Sequence, residues 1–78
     1  MSDEVILTKE GKEELEKRLK YLKVEKSAEV TERIKVAREF GDLSENAEYR
    51  SARRAFGRNE SRIRFLQKMI RTAKVVST

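Results

Sequence analysis

The sequence predicts an all-α fold, a long antiparallel two-helix coiled-coil hairpin with a tight acidic tip loop. Composition is the first observation: of 78 residues, 42% are charged, 37% are hydrophobic and none is proline, which suits long helices that share a narrow apolar seam. Two segments with helical periodicity are the second, and the short stretch 41–44 between them is the third. Because long helices need a packing partner, we expect the two to fold back on each other as a rod roughly 45 Å long.

The first helix is predicted over about residues 9–40. Thr8 can cap it by accepting a hydrogen bond from a first-turn amide. Its seam positions step by 4, 3, 8, 4 and 3 residues: Leu15, Leu19, Leu22, Val30, Ile34 and Ala37. The step of 8 places Lys26 in the seam and adds one residue to the heptad, so we expect a local phase shift that slightly unwinds the coil.

The second helix is predicted over about residues 45–74. Its seam alternates steps of 3 and 4 without a fault: Tyr49, Ala52, Phe56, Asn59, Ile63, Leu66, Ile70 and Ala73. Asn59, the polar member, can fix the register at some cost in stability. Residues 5–8 are predicted to form a short extended entry to the first helix, and no strand alternation appears. Phe65 and Met69 are expected to meet residues 5–7 at the open end.

The tip sequence allows two interpretations. Gly41 can adopt the left-handed conformation that ends a helix, and Asp42, Leu43, Ser44 and Glu45 have the spacing of a capping box with Asp42 as the cap. By spacing alone this capping role is the commoner one. The alternative is that Asp42 and Glu45 complete the coordination of a hard cation that another molecule already holds in part.

Charge is divided unevenly along the chain. Residues 1–48 carry 10 basic and 13 acidic side chains, whereas residues 49–78 carry 9 basic side chains and one acid. Arg50, Arg54 and Arg58 follow a spacing of four and share one helical stripe, with Arg53 beside it and Arg38 expected nearby on the first helix. Arginines in this arrangement suit phosphate groups, and the alternative is a solvated charged face.

Several functions are excluded by residue types that the chain lacks. It contains no cysteine and no histidine, which excludes disulfides, thiolate or imidazole chemistry and the usual zinc sites. No apolar run approaches the ~20 residues of a membrane span. We therefore expect a cytoplasmic protein with no membrane partner.

The run AREFGDLSENAEY at residues 37–49, with LTKEG at 7–11 and RTAKVV at 71–76, resembles the amino-terminal coiled coil of the bacterial transcript-cleavage factors GreA and GreB, and is closer to GreA. The resemblance implies a hairpin that enters the secondary channel of RNA polymerase and stimulates the polymerase's own cleavage of backtracked RNA, without being an enzyme itself. It implies that Asp42 and Glu45 help to hold a catalytic Mg²⁺ shared with the polymerase, while Gly41, Leu43 and Ser44 shape the tip. It also implies that the basic patch contacts the 3′ end of the nascent RNA.

The chain departs from this family in two respects. Residues 50–58 are far more basic than usual in the family, which puts the RNA contacts in question. The second, polymerase-docking domain of the family is expected to be absent from residues 1–78, and losing one of two linked contacts predicts weak binding. Three alternatives stay open: a channel-binding inhibitor that does not stimulate cleavage, a basic coiled coil that binds RNA, and a hairpin that dimerises through its exposed seam instead of the expected monomer.

Overall fold

The computed structural model describes residues 5–42 and 46–76. Strand β1 spans Ile6–Thr8, helix α1 Lys9–Tyr21, a π-helical segment Leu22–Lys26, helix α2 Ser27–Arg38, helix α3 Ala47–Thr72 and strand β2 Lys74–Val76. The helices form an antiparallel hairpin with principal extents of 54 × 28 × 13 Å. The predicted all-α hairpin is therefore confirmed, with a small sheet added at its open end.

The first helix begins where the sequence predicts. Thr8 has extended backbone angles, and its side-chain oxygen accepts a hydrogen bond from the Gly11 amide at 3.0 Å. This bond satisfies one of the first-turn amides that lack a partner within the helix.

The core follows the predicted seam except at Phe56, which is 37% exposed. Its buried apolar members are Leu22, Val30, Ala37, Ala52, Ile63 and Leu66. Leu15 and Leu19 pack against the Leu22, Ile63 and Leu66 cluster and remain half-buried. With so few residues buried, the two helices depend on each other for stability.

The extra residue in the first seam is absorbed in one place. The predicted phase shift is confirmed, and it is concentrated in the π-helical segment Leu22–Lys26. Here the Leu22 carbonyl accepts from the backbone amide and the hydroxyl of Ser27, and also from Asn59 Nδ2 at 3.1 Å. Asn59 is 2% exposed and donates to Ser27 Oγ as well, at 3.2 Å. The polar seam residue therefore pairs with the backbone of the π-helical segment.

The open end contains a feature that the sequence pattern did not predict. β1 and β2 pair in parallel, with Ile6 opposite Lys74 and Thr8 opposite Val76. The prediction that the second helix runs to about residue 74 is wrong, because α3 ends at Thr72 and the chain turns extended at Ala73. The Lys74 amide then donates to the Val5 carbonyl at 2.8 Å.

The helices are also shorter at the tip than predicted. α2 ends at Arg38, two residues before the expected end, and the first helical residue of α3 is Ala47. The connection between them thus covers residues 39–46, of which 43–45 lie outside the described residues. Within the described ranges, no helix is both long and apolar enough to span a bilayer.

Candidate functional site at the hairpin tip

Asn46 closes the described part of the tip. Its Oδ1 accepts a hydrogen bond from the Tyr49 amide at 3.0 Å and so caps α3. Its Nδ2 donates to the Ala37 carbonyl at 2.6 Å, across the hairpin on the last turn of α2. The Asn46 side chain therefore supplies hydrogen-bond partners to an amide at the start of α3 and to a carbonyl at the end of α2. The prediction that Asp42 caps the second helix is wrong, since the cap is Asn46 and α3 begins at Ala47, five residues after Asp42.

After α2 the backbone forms a tighter, 3₁₀-like turn before the chain changes direction at Gly41. Three successive amides, those of Glu39, Phe40 and Gly41, bond to carbonyls three residues earlier. Gly41 then has φ = 99°, in the left-handed region that favours glycine, as predicted. The chain can leave the helix axis here because no side chain restricts this angle.

Asp42 follows this turn and is exposed. It borders a shallow surface depression with Phe40, Asn46, Ala47 and Glu48. Leu43, Ser44 and Glu45, the other predicted tip residues, lie outside the described residues. In the part of the chain that the structure describes, no three acidic side chains gather in a metal-binding cluster. The carboxylate of Asp42 has the hard oxygen ligands that Mg²⁺ prefers, and it faces solvent where a second molecule can approach.

Tyr49 lies between two arginines on the first turn of α3. The guanidinium carbons of Arg38 and Arg53 each lie 6.0 Å from the centre of its ring. Arg53 Nη1 also donates to the phenol oxygen at 3.3 Å. Hydrogen bonds from Arg38 and Arg53 lower the pKa of Tyr49, because two cations favour the negative phenolate. We call Arg38, Tyr49 and Arg53 the arginine–tyrosine cluster.

The remaining predicted arginines occupy the neighbouring face of α3. Arg50, Arg54 and Arg58 are exposed along one stripe, about 100° around the helix from Tyr49 and Arg53. The structure therefore divides the five candidate arginines into two groups. Arg38 from α2 and Arg53 from α3 both lie against the Tyr49 ring, and the other three form a stripe on α3 alone.

Two residues at this end have functions that the sequence analysis did not assign. Asn46 stands directly before the helix start, a position where asparagine is favoured, but the capping-box spacing of Asp42 and Glu45 pointed elsewhere. Tyr49 was assigned to seam packing, although the four-residue spacing to Arg53 places both side chains on one helix face. Arg38 was expected near these arginines, and the structure places it against the Tyr49 ring, a contact that depends on the register of the hairpin.

Fold and site together define a class of protein, a helical hairpin with an exposed aspartate, Asp42, and the arginine–tyrosine cluster at one end. The family described as "Transcription elongation factor, N-terminal" matches residues 5–75, and the chain belongs to this family.

Curated relatives agree with this assignment. The chain is 57% identical over 70 residues to the protein named Transcription elongation factor GreA of Geobacillus kaustophilus, covering 90% of this chain and 44% of that protein. It is 54% identical over 76 residues to the protein of the same name from Thermoanaerobacter pseudethanolicus, covering 97% and 48%. The Bacillus subtilis protein of that name is 54% identical over 70 residues, covering 90% and 45%. The chain thus spans about half the length of the curated relatives it matches.

Proposed function

We propose that this chain is the part of a transcription elongation factor that enters the secondary channel of RNA polymerase and stimulates cleavage of backtracked nascent RNA. The observation that supports this most directly is the joint position of Asp42 and the arginine–tyrosine cluster at the tip end. A carboxylate for a metal ion and cations for phosphates are two groups that metal-assisted hydrolysis of RNA can use. In this proposal the polymerase is the enzyme, and the hairpin adds groups to its active site.

Asp42 and Glu45 are the proposed ligands of a Mg²⁺ ion shared with the polymerase. Mg²⁺ needs about six oxygen ligands in near-octahedral geometry, so two carboxylates complete a site only when other ligands come from a second molecule. A Mg²⁺ ion so held activates water and neutralises charge at the reacting phosphate. The exposure of Asp42 supports this role, since a carboxylate at the tip reaches into a partner before the rest of the hairpin does.

The arginine–tyrosine cluster is proposed to hold the phosphates near the 3′ end of the nascent RNA. Arg38 and Arg53 approach the Tyr49 ring from different helices, so each guanidinium can bind a phosphate that lies beside that ring. The Tyr49 hydroxyl adds a neutral polar group between them. The stripe of Arg50, Arg54 and Arg58 extends the positive surface along α3, away from the tip.

The whole relatives are about twice as long as the aligned segment, and their printed name is Transcription elongation factor GreA. We propose that RNA polymerase is the partner of this chain, in the bacterial cytoplasm. A single hairpin inserted in a channel binds through one contact region, so a large molar excess is needed to observe its effect.

The test is RNA cleavage in backtracked elongation complexes supplied with Mg²⁺ and an excess of the chain. Asp42→Asn and Glu45→Gln keep the shape of the side chains and remove the charges. Glu39→Gln is the matched control, because it removes an exposed carboxylate close to the tip without touching the two proposed ligands. We expect the wild-type chain and the control to accelerate cleavage, and the double variant to lose the acceleration while it still binds.

Two other outcomes would replace this proposal. If the wild-type chain and the double variant bind the polymerase equally and neither accelerates cleavage, the chain is a channel-binding inhibitor. If the chain does not bind the polymerase and instead binds free RNA with an affinity that falls steeply as the salt concentration rises, it is an RNA-binding coiled coil.

A further inference from the structure

The two broad sides of the hairpin near the tip differ in chemistry. One side carries Lys35, Arg38 and Arg53 around a depression that also includes Ile34 and Phe56. The other side carries an apolar floor with acids on its rim: Val36, Ala37 and Phe40, bordered by Glu29, Glu32, Glu48 and Arg33. We call the second surface the acidic groove. It shares no residue with the arginine–tyrosine cluster or with the proposed metal ligands.

Phe40 gives the acidic groove its most exposed apolar side chain. It is 71% exposed, the largest value among the exposed large hydrophobic residues that the structure describes, and Val36 one turn earlier is 42% exposed. The backbone of Phe40 is held in place, because its amide donates to the Ala37 carbonyl at 3.2 Å. An aromatic side chain that leaves an ordered backbone and stays exposed beside other apolar residues is typical of a surface that another molecule covers.

The charges of the groove decide which kind of molecule that is. Glu32 and Glu48 are exposed on the rim, while Glu29 is paired with Lys26 at 3.3 Å. Arg33 reaches across to Ser51 Oγ at 3.5 Å, so its guanidinium is directed toward α3. The acids therefore outnumber the bases around an apolar floor. Such a surface repels phosphates, and thus RNA, and attracts a protein segment with lysine or arginine beside an apolar residue.

A second copy of the chain is a poorer occupant. A symmetric dimer through this groove would bring acids against acids. A contact between the groove of one copy and the basic side of the next is complementary but does not close, so it would lead to open-ended assemblies.

We propose that the acidic groove docks a segment of RNA polymerase in which an apolar side chain, flanked by lysine or arginine, covers Phe40 and Val36. The identity of the partner rests on the proposed function, whereas the groove and its charge do not. In this arrangement one side of the hairpin faces protein and the other faces RNA. Docking on the protein side fixes the rotation of the hairpin about its long axis.

A photo-crosslinking residue at position 40 tests the proposal directly. We expect benzoylphenylalanine at this position to cross-link to core RNA polymerase, with the attachment point mapping to a segment that contains lysine or arginine. The matched control carries the same residue in place of Phe65, which is 62% exposed and lies at the other end of the hairpin. Cross-linking from position 65 alone would refute docking at the acidic groove and leave the proposed function intact. The same conclusion would follow if neither position cross-links while RNA cleavage is accelerated.

Affinity measurements separate the two proposals further. We expect Phe40→Ala to weaken binding to the polymerase about tenfold, as for an aromatic residue central to an interface. Asp42→Asn should leave affinity unchanged and lose only cleavage. An unchanged affinity for Phe40→Ala, or a loss that Phe65→Ala reproduces, would contradict the proposed docking. If sedimentation shows that Phe40→Ala dissociates an oligomer of the free chain, the occupant is a second copy and the polymerase segment is excluded.

Discussion

Replacing Asn46 with alanine removes both hydrogen bonds that close the tip. Loss of the cap on the Tyr49 amide lowers the free energy of unfolding by about 1 kcal/mol. Loss of the bond to the Ala37 carbonyl removes roughly another 1 kcal/mol, the net contribution of one ordinary hydrogen bond, since that carbonyl still accepts from the Phe40 amide. For a chain of this length, a total of about 2 kcal/mol lowers the melting temperature by about 10 °C.

Asn46→Asp separates the two contributions. Aspartate still caps α3, but a carboxylate cannot donate to the Ala37 carbonyl and lies close to its oxygen. We therefore expect its melting temperature, measured by circular dichroism, to fall between those of the wild-type chain and Asn46→Ala. If Asn46→Asp is as stable as the wild-type chain, the bond across the hairpin contributes nothing. If urea unfolding shows that Asn46→Ala lowers the free energy of unfolding by less than about 0.5 kcal/mol, the two hydrogen bonds do not stabilise the tip.

Two further predictions concern the same end of the molecule. Gly41→Ala should lower the free energy of unfolding by about 1 kcal/mol because of the positive φ at this position, and Gly57→Ala in helix α3 should raise it by a similar amount because alanine favours the helix. Neither added methyl group meets an atom within 4 Å, so these backbone effects act alone. Urea unfolding in which both variants shift the free energy in the same direction would contradict this prediction. Arg53→Ala should raise the pKa of Tyr49 toward its ordinary value, followed by phenolate absorbance in a Tyr21→Phe background. Because the pKa of Tyr49 is lowered in the folded chain, its contribution to stability is present only at alkaline pH and is lost as the pH falls through that lowered pKa. An unchanged titration would show that Arg53 does not act on the phenol.

The seam was predictable because its signal is periodic and local. The 3–4 alternation of the second helix identified Ala52, Ile63 and Leu66 as core residues, and the step of 8 located the phase shift between Leu22 and Val30. The form of that shift was not predictable. Its confinement to one π-helical segment involves the Leu22 carbonyl and the amide of Asn59, which are 37 residues apart in sequence.

The strands and the cap were missed for a related reason. β1 and β2 are three residues each, and their pairing joins opposite ends of the chain. A run this short has no alternation that sequence alone could distinguish from a helix end. At the tip, Asp42 and Asn46 are both residue types that cap helices. The helix begins after Asn46 in the structure, and the bond from Asn46 to Ala37 across the hairpin is a contact that no local pattern contains.

The elongated shape of the hairpin imposes a condition on any chemistry at its tip. For a lever 54 Å long, one degree of tilt about the open end moves the far end by about 0.9 Å. Catalytic groups must be placed within roughly 0.5 Å of their working positions, and an error of about 1 Å can reduce a rate on the order of a hundredfold. Attachment at the open end alone would therefore have to hold the tilt within about half a degree. Contacts within the first turns behind the tip have to supply the remaining accuracy, and the short arm between Phe40 and Asp42 is where such a contact would suppress the swing most effectively.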